Sequence, residues 1–129
     1  MPQQPHHLYE YSVIQLMPDV ERGELLNIGL AMMCKRRRWI RVEFDFDMGL
    51  ASRMAPACDL DAVDRQLDAF RLVATGTGES PVAALEPHER FRWLTAVRSA
   101  CIVTSRPHPG LTDDLDTTFD RLFARLIKH

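Results

Sequence analysis

Apolar and polar residues alternate with period two at the start of the chain. Tyr9, Tyr11 and Val13 share one face, and Glu10, Ser12, Ile14 and Leu16 share the other, which predicts a strand over Leu8 to Met17. Pro18-Asp19 ends it, because proline brings no donor to a sheet ladder and the pair suits a turn. The cleanest alternation is Trp39 to Phe46, where Ile40, Val42, Phe44 and Phe46 interleave with Arg41, Glu43 and Asp45, giving a strand with one buried and one solvated face. Between the two lies Glu24 to Cys34, whose pattern reads both ways. Leu25, Ile28 and Met32 recur at helical spacing among good helix formers, whereas Gly23 and Gly29 each weigh against a helix by about 1 kcal/mol relative to alanine. As a strand, it carries Leu26, Ile28, Leu30, Met32 and Cys34 on one face and Leu25, Asn27, Gly29, Ala31 and Met33 on the other. Neither face bears a charge, as expected of a central strand covered from both sides.

The rest of the chain reads mainly as helix. Met48 to Met54 is a short one closed by Pro56, and a longer one follows Asp59 as N-cap, with Leu60, Val63, Leu67, Phe70 and Ala74 on one stripe. Gly76 to Gly78 ends it; the glycine-rich loop lacks the lysine and the preceding strand of a phosphate-binding loop. Glu86 to Ala96 gives one or two helical turns, Ser99 to Ser105 a short β-branched strand, and Arg106 to Gly110 a turn-rich loop. Asp113 to Lys128 is amphipathic, its stripe being Leu115, Phe119, Leu122, Phe123 and Leu126. The pattern predicts an α+β fold. A disordered arm at residues 1–7 precedes a single domain over 8–129, an antiparallel sheet of about four strands (an N-terminal three-strand meander plus one later strand) packed against helices.

Composition sharpens this picture in three places. At 129 residues, 46% apolar and 26% charged, the chain is one ordinary globular domain. A net charge of −2 gives no general attraction to nucleic acid or anionic lipid, so the basic run Lys35 to Arg38 reads as a solvated hairpin tip rather than a nucleic-acid contact. The three cysteines, Cys34, Cys58 and Cys101, are odd in number and widely spaced, which predicts free thiols rather than a disulfide framework or zinc site. With no leader-like opening and no apolar run of about 18 residues, the expectation is a bacterial cytoplasmic protein that makes no membrane contact.

Catalytic motifs are absent: no zinc-protease helix, no nucleophile elbow and no dinucleotide fingerprint, and no cofactor is expected. Ser99, His108 and Asp113 form a triad only if their geometry is assumed, and Cys101 between apolar residues reads as an inert thiol. The reading leans away from an enzyme. One polar set stands out: Asp19, Arg22, Glu24, Asn27, Arg98 and Ser99. Two arginines converging on one anion would suit a phosphate or carboxylate. The same residues equally suit an ion-pair network that pins turn to sheet, with Asn27 bonding backbone.

Three patches resemble the bacterial domain-of-unknown-function family 3037. The first runs through Tyr11, Val13, Ile14, Pro18-Asp19, Arg22-Gly23-Glu24 and Asn27-Ile28-Gly29; the second is Arg90-Phe91 with Trp93-Leu94 and Arg98-Ser99; the third is His108 through Gly110-Leu111. Met32-Met33-Cys34 departs from the plainer aliphatic strand end that the resemblance implies. The resemblance implies that Glu24 to Cys34 is a strand, and it implies a protein partner, a kinase-like protein of the HipA toxin type. It brings no activity with it. Three functional readings remain: a non-catalytic protein-interaction module working through a sheet edge or the Tyr9/Tyr11 surface; an enzyme or binding domain for a phosphate-bearing small molecule or nucleic acid using Arg22 and Arg98; and a homodimer joined by edge strands, compatible with either.

Overall fold

A computed structural model describes residues 7–19, 21, 24–54, 58–96 and 101–128. Strand β1, His7–Asp19, pairs antiparallel with β2, Glu24–Cys34, and β3, Trp39–Phe44, pairs antiparallel with β2 across an exposed turn at residues 35–38. Helices α1, Met48–Met54, and α2, Leu60–Thr75, follow; then come a 3-10 turn over Pro81–Ala84 and helix α3, Pro87–Ala96. Strands β4, Ile102–Thr104, and β5, His108–Thr112, lead into helix α4, Leu115–Leu126. The sheet runs β3-β2-β1, and β4 and β5 lie in tandem on the far side of β1. The fold is thus α+β, a single domain with five antiparallel strands among the described residues. Among the described residues no helix is long and apolar enough to cross a membrane. The expected arm lies outside the described residues apart from His7, which already belongs to β1.

Both sheet faces are covered. On one, Ile14, Leu16, Ala31 and Met33 pack with Leu67 and Phe70 of α2 and Phe91 and Leu94 of α3. On the other, Tyr9, Val13, Leu30 and Met32 pack with Phe119 and Leu122 of α4. The strand alternation within β2 differs from a simple period of two. Gly29 lies opposite Ile14 but Asn27 lies opposite Gln15, so Ile28 is an extra residue, a β-bulge. The bulge inverts the pattern. Leu26 and Ile28 point to the α2/α3 face, whereas Leu30, Met32 and Cys34 point to the α4 face.

The helix ends follow from local chemistry. The Asp59 carboxylate accepts from the Ala62 N–H at 3.1 Å, and Gly76 takes the left-handed φ of 70° that closes α2. Asp114 caps α4 by accepting from the Thr117 N–H at 3.0 Å, which holds its carboxyl below the usual range. Helix α3, at ten residues, is longer than the expected one or two turns.

Two expectations need correction. The stretch read as a turn-rich loop contains β5, which pairs with His7 to Tyr11 of β1. Pro107 and Pro109 suggested a loop, but an edge strand tolerates a proline whose missing N–H would face away from its neighbour. Gly110 fits here because a Cβ would collide with the Tyr9 ring. The thiols are the second correction: Cys58 and Cys101, 43 positions apart, are joined by a disulfide with Cα atoms 6.2 Å apart, and only Cys34 is free, buried under α4. Their approach depends on the fold. Cys101 sits at the end of β1, its carbonyl accepting from the Met17 N–H at 2.8 Å, and Cys58 immediately precedes the cap of α2.

Candidate functional site

Of the six polar residues singled out from the sequence, Arg22, Arg98 and Ser99 lie outside the described residues. Asp19 and Glu24 are register partners at the closing end of the β1–β2 hairpin. Asn27 sits beside the bulge. Its carbonyl oxygen accepts from the Gln15 amide at 3.1 Å, and its own amide donates to the Leu126 carbonyl at 3.1 Å. It therefore ties the middle of β2 to the last turn of α4, and a cleft of about 160 Å³ opens beside it between Leu26, Asp45, Asp47 and Leu50. Of the assumed triad, His108 stacks on Tyr11 with ring centroids 5.1 Å apart, Asp113 lines a separate cleft with His7 and Trp39, and Ser99 is undescribed. Tyr9, expected to present a surface, is buried against α4.

Several residues that carry the family resemblance have structural work. Arg90 donates to the carbonyls of Val73 and Ala74, both at 2.8 Å, and to Leu85 at 3.1 Å, satisfying acceptors that the end of α2 leaves open. Phe91 and Leu94 fill the core beneath it. Gly29 lets the Phe44 ring lie against β2 where a Cβ would overlap it. Arg92 of α3 grips Glu10 of β1 with two bonds of 2.8 and 2.6 Å, a bidentate pair that raises the Arg92 pKa.

One feature left without an internal partner among the described residues is the outer edge of β3. Among the described residues, no strand pairs with it on the side away from β2. The Asp45 N–H donates to the Ile28 carbonyl, so the alternating backbone groups of Glu43 and Arg41 face β2 and those of Ile40, Val42 and Phe44 face outward. A groove of about 460 Å³ runs along this edge, lined by β3 and by Arg71, Ala74 and Thr75 of α2.

The two faces beside the edge differ chemically. Toward α2, Ile40, Val42 and Phe44 are half-buried and apolar, with Arg71 stacked 4.9 Å from the Phe44 ring centre. Toward α4, Arg41 lies 4.2 Å from the Phe119 ring centre and pairs with Glu43, with Asp116 at 3.1 Å and with Asp120 at 2.9 Å. Burial works to lower the Arg41 pKa, and the carboxylates of Glu43 and Asp120 outweigh it, so the group is raised and stays charged. One guanidinium against three carboxylates leaves two formal negative charges in excess.

This cluster escaped sequence reading because Arg41 meets its partners across 75 and 79 positions of chain. One signal was available: residues 39–44 contain no proline, while residues 107 and 109 are both proline.

A family model described as Protein of unknown function (DUF3037) matches residues 11–127 of the 129, and the chain belongs to that family. No curated protein and no solved structure matches it.

Proposed function

We propose that this DUF3037 protein is a non-catalytic interaction module that receives an extended segment of a protein partner along the outer edge of β3. One observation supports the reading above all others: Ile40, Val42 and Phe44 direct their backbone donors and acceptors outward along a groove, with no strand paired to them among the described residues. Strand addition uses this arrangement, the main chain supplying affinity and alternate side-chain pockets supplying specificity. A kinase-like protein of the HipA toxin type, implied by the family resemblance, is the first partner to try.

The experiment compares tagged wild-type protein with Val42→Pro as baits for that partner. Proline at 42 removes an outward N–H and spares the ladder to β2. Capture by the wild type and its loss in a Val42→Pro protein of unchanged circular dichroism support the reading. Equal capture by both baits refutes docking at β3.

A bacterial cytoplasmic address belongs to the same proposal and meets one opposing observation, the Cys58–Cys101 bond, since such bonds are rare in reducing compartments. Rapid alkylation at lysis followed by mass measurement decides it. Alkylated Cys58 and Cys101 support the cytoplasm, and an intact bond in fresh lysate contradicts it.

A further inference from the structure

We infer that the segment docking on β3 alternates apolar residues with lysine or arginine. This rests on the reading of β3 as a docking edge and specifies the chemistry of its occupant. A strand laid beside β3 sends successive side chains to opposite sheet faces. On the α2 side they enter a groove walled by Ile40, Val42, Phe44 and Ala74, which suits apolar groups. On the α4 side they meet Glu43, Asp116 and Asp120, whose side chains are 47%, 69% and 67% exposed and therefore open to a partner's charge.

Arg41 neutralises one of these three carboxylates. Arg37, from the turn, shares a cleft with Asp113, Asp114 and Asp116, one cation against three carboxylates again, so the negative excess beside Arg41 continues toward the start of α4. A basic residue on every second position of the incoming strand answers that excess. A second copy of this chain answers it less well: two β3 strands laid antiparallel about Val42 set Arg41 of each opposite Glu43 of the other, but Asp116 and Asp120 of both copies come to the same seam with no added cation.

The probe is a labelled, end-blocked peptide of alternating valine and lysine, long enough to span β3, titrated with the full chain at low salt and read by fluorescence anisotropy. Its controls replace lysine by serine or by glutamate. The lysine peptide is expected to bind about three- to tenfold more tightly than the serine peptide, and the glutamate peptide most weakly of the three. Added salt, or the double variant Asp116→Asn and Asp120→Asn, is expected to remove the lysine advantage while leaving serine-peptide binding in place. Two further copies, N-methylated on the valines or on the lysines, test strand pairing without altering the protein; binding is expected to be lost in one and kept in the other.

Serine or glutamate peptides that bind as tightly as the lysine peptide overturn the basic chemistry and leave the edge reading standing. Failure of all three peptides, or binding by both N-methylated copies, overturns the edge reading itself. A dimer by light scattering that Val42→Pro converts to monomer makes a second copy the occupant and overturns the inference.

Discussion

The two edges of this sheet are built in opposite ways. On the far side of β1, two short strands divide the work, and Pro109 stands in β5 opposite Glu10 with no N–H to offer. That side is fastened further by the Cys58–Cys101 bond next to β4 and by the Arg92–Glu10 pair. On the near side, β3 is six residues without proline, and its outward backbone groups meet a groove instead of a neighbour. Charges on an edge strand discourage unwanted pairing, and β3 carries its charges, Arg41 and Glu43, on one face only. The contrast teaches that protection of this sheet is selective. One edge is divided between two short strands, carries a proline and is anchored by a disulfide, while the other is continuous and free of proline, and on the proposed function it receives a strand of the right charge pattern.

The largest expected effect breaks the closed side. Replacing both Cys58 and Cys101 by serine frees a loop with a sequence separation of 43. On the chain-entropy account this lowers the unfolding free energy of the oxidised protein by about 4 kcal/mol, measured by urea denaturation. Binding at β3 is expected to survive, since the bond lies at the other edge.

Next in size is a change on the open side. Gly29→Val forces a Cβ into the Phe44 ring and toward the Glu43 carbonyl, and overpacking of this kind costs about 1–3 kcal/mol. Because Phe44 walls the groove, peptide binding is expected to weaken together with stability. A destabilised variant that binds the peptide unchanged would separate Phe44 from the docking edge.

Asn27→Ala removes the link from β2 to the last turn of α4 and leaves the Gln15 amide and the Leu126 carbonyl without that partner. The expected loss is about 1–2 kcal/mol, read by the same denaturation. Its effect on lysine-peptide binding is expected to be small, because Asp116 and Asp120 lie nearer the other end of the helix.

The smallest effect is one of pH. The Asp114 carboxyl is held below its usual value by the Thr117 N–H, and an unfolded-chain aspartate titrates near about 3.9. Its contribution is therefore present above that value and lost as pH falls through the lower folded value. Stability of Asp114→Asn is expected to change less than that of the wild type across this acid range. Parallel curves for the two proteins would show that the cap carries no such dependence.

Much of the architecture was legible because it is written in short range. The alternation at Ile40, Val42 and Phe44 marked β3, and Asp59 and Gly76 marked the two ends of α2. What escaped depends on partners distant in the chain. Inserting Ile28 as a bulge reverses which β2 residues share a face, and nothing local announces an extra residue. Strand β5 was hidden by the same prolines that protect it as an edge. The disulfide was hidden by spacing, because only the packed fold brings Cys58 to Cys101.

The polar set chosen from the sequence divides in a similar way. Asn27 bonds Gln15 and a backbone carbonyl on α4, Asp19 and Glu24 close a hairpin, and Arg22, Arg98 and Ser99 lie outside the described residues. The acidic cluster beside β3 joins a strand to a helix that follows some 75 positions later, so no window of sequence contains it.

Amide hydrogen exchange along β3, resolved residue by residue by NMR, tests the open edge most directly. In the free protein, the Arg41 and Glu43 amides are expected to exchange slowly, while those of Ile40, Val42 and Phe44 exchange fast. Adding the valine–lysine peptide is expected to slow Val42 and its two alternate neighbours and leave Arg41 and Glu43 unchanged. Slow exchange at Ile40, Val42 and Phe44 in the free monomer would contradict the account, because the edge would then already be bonded.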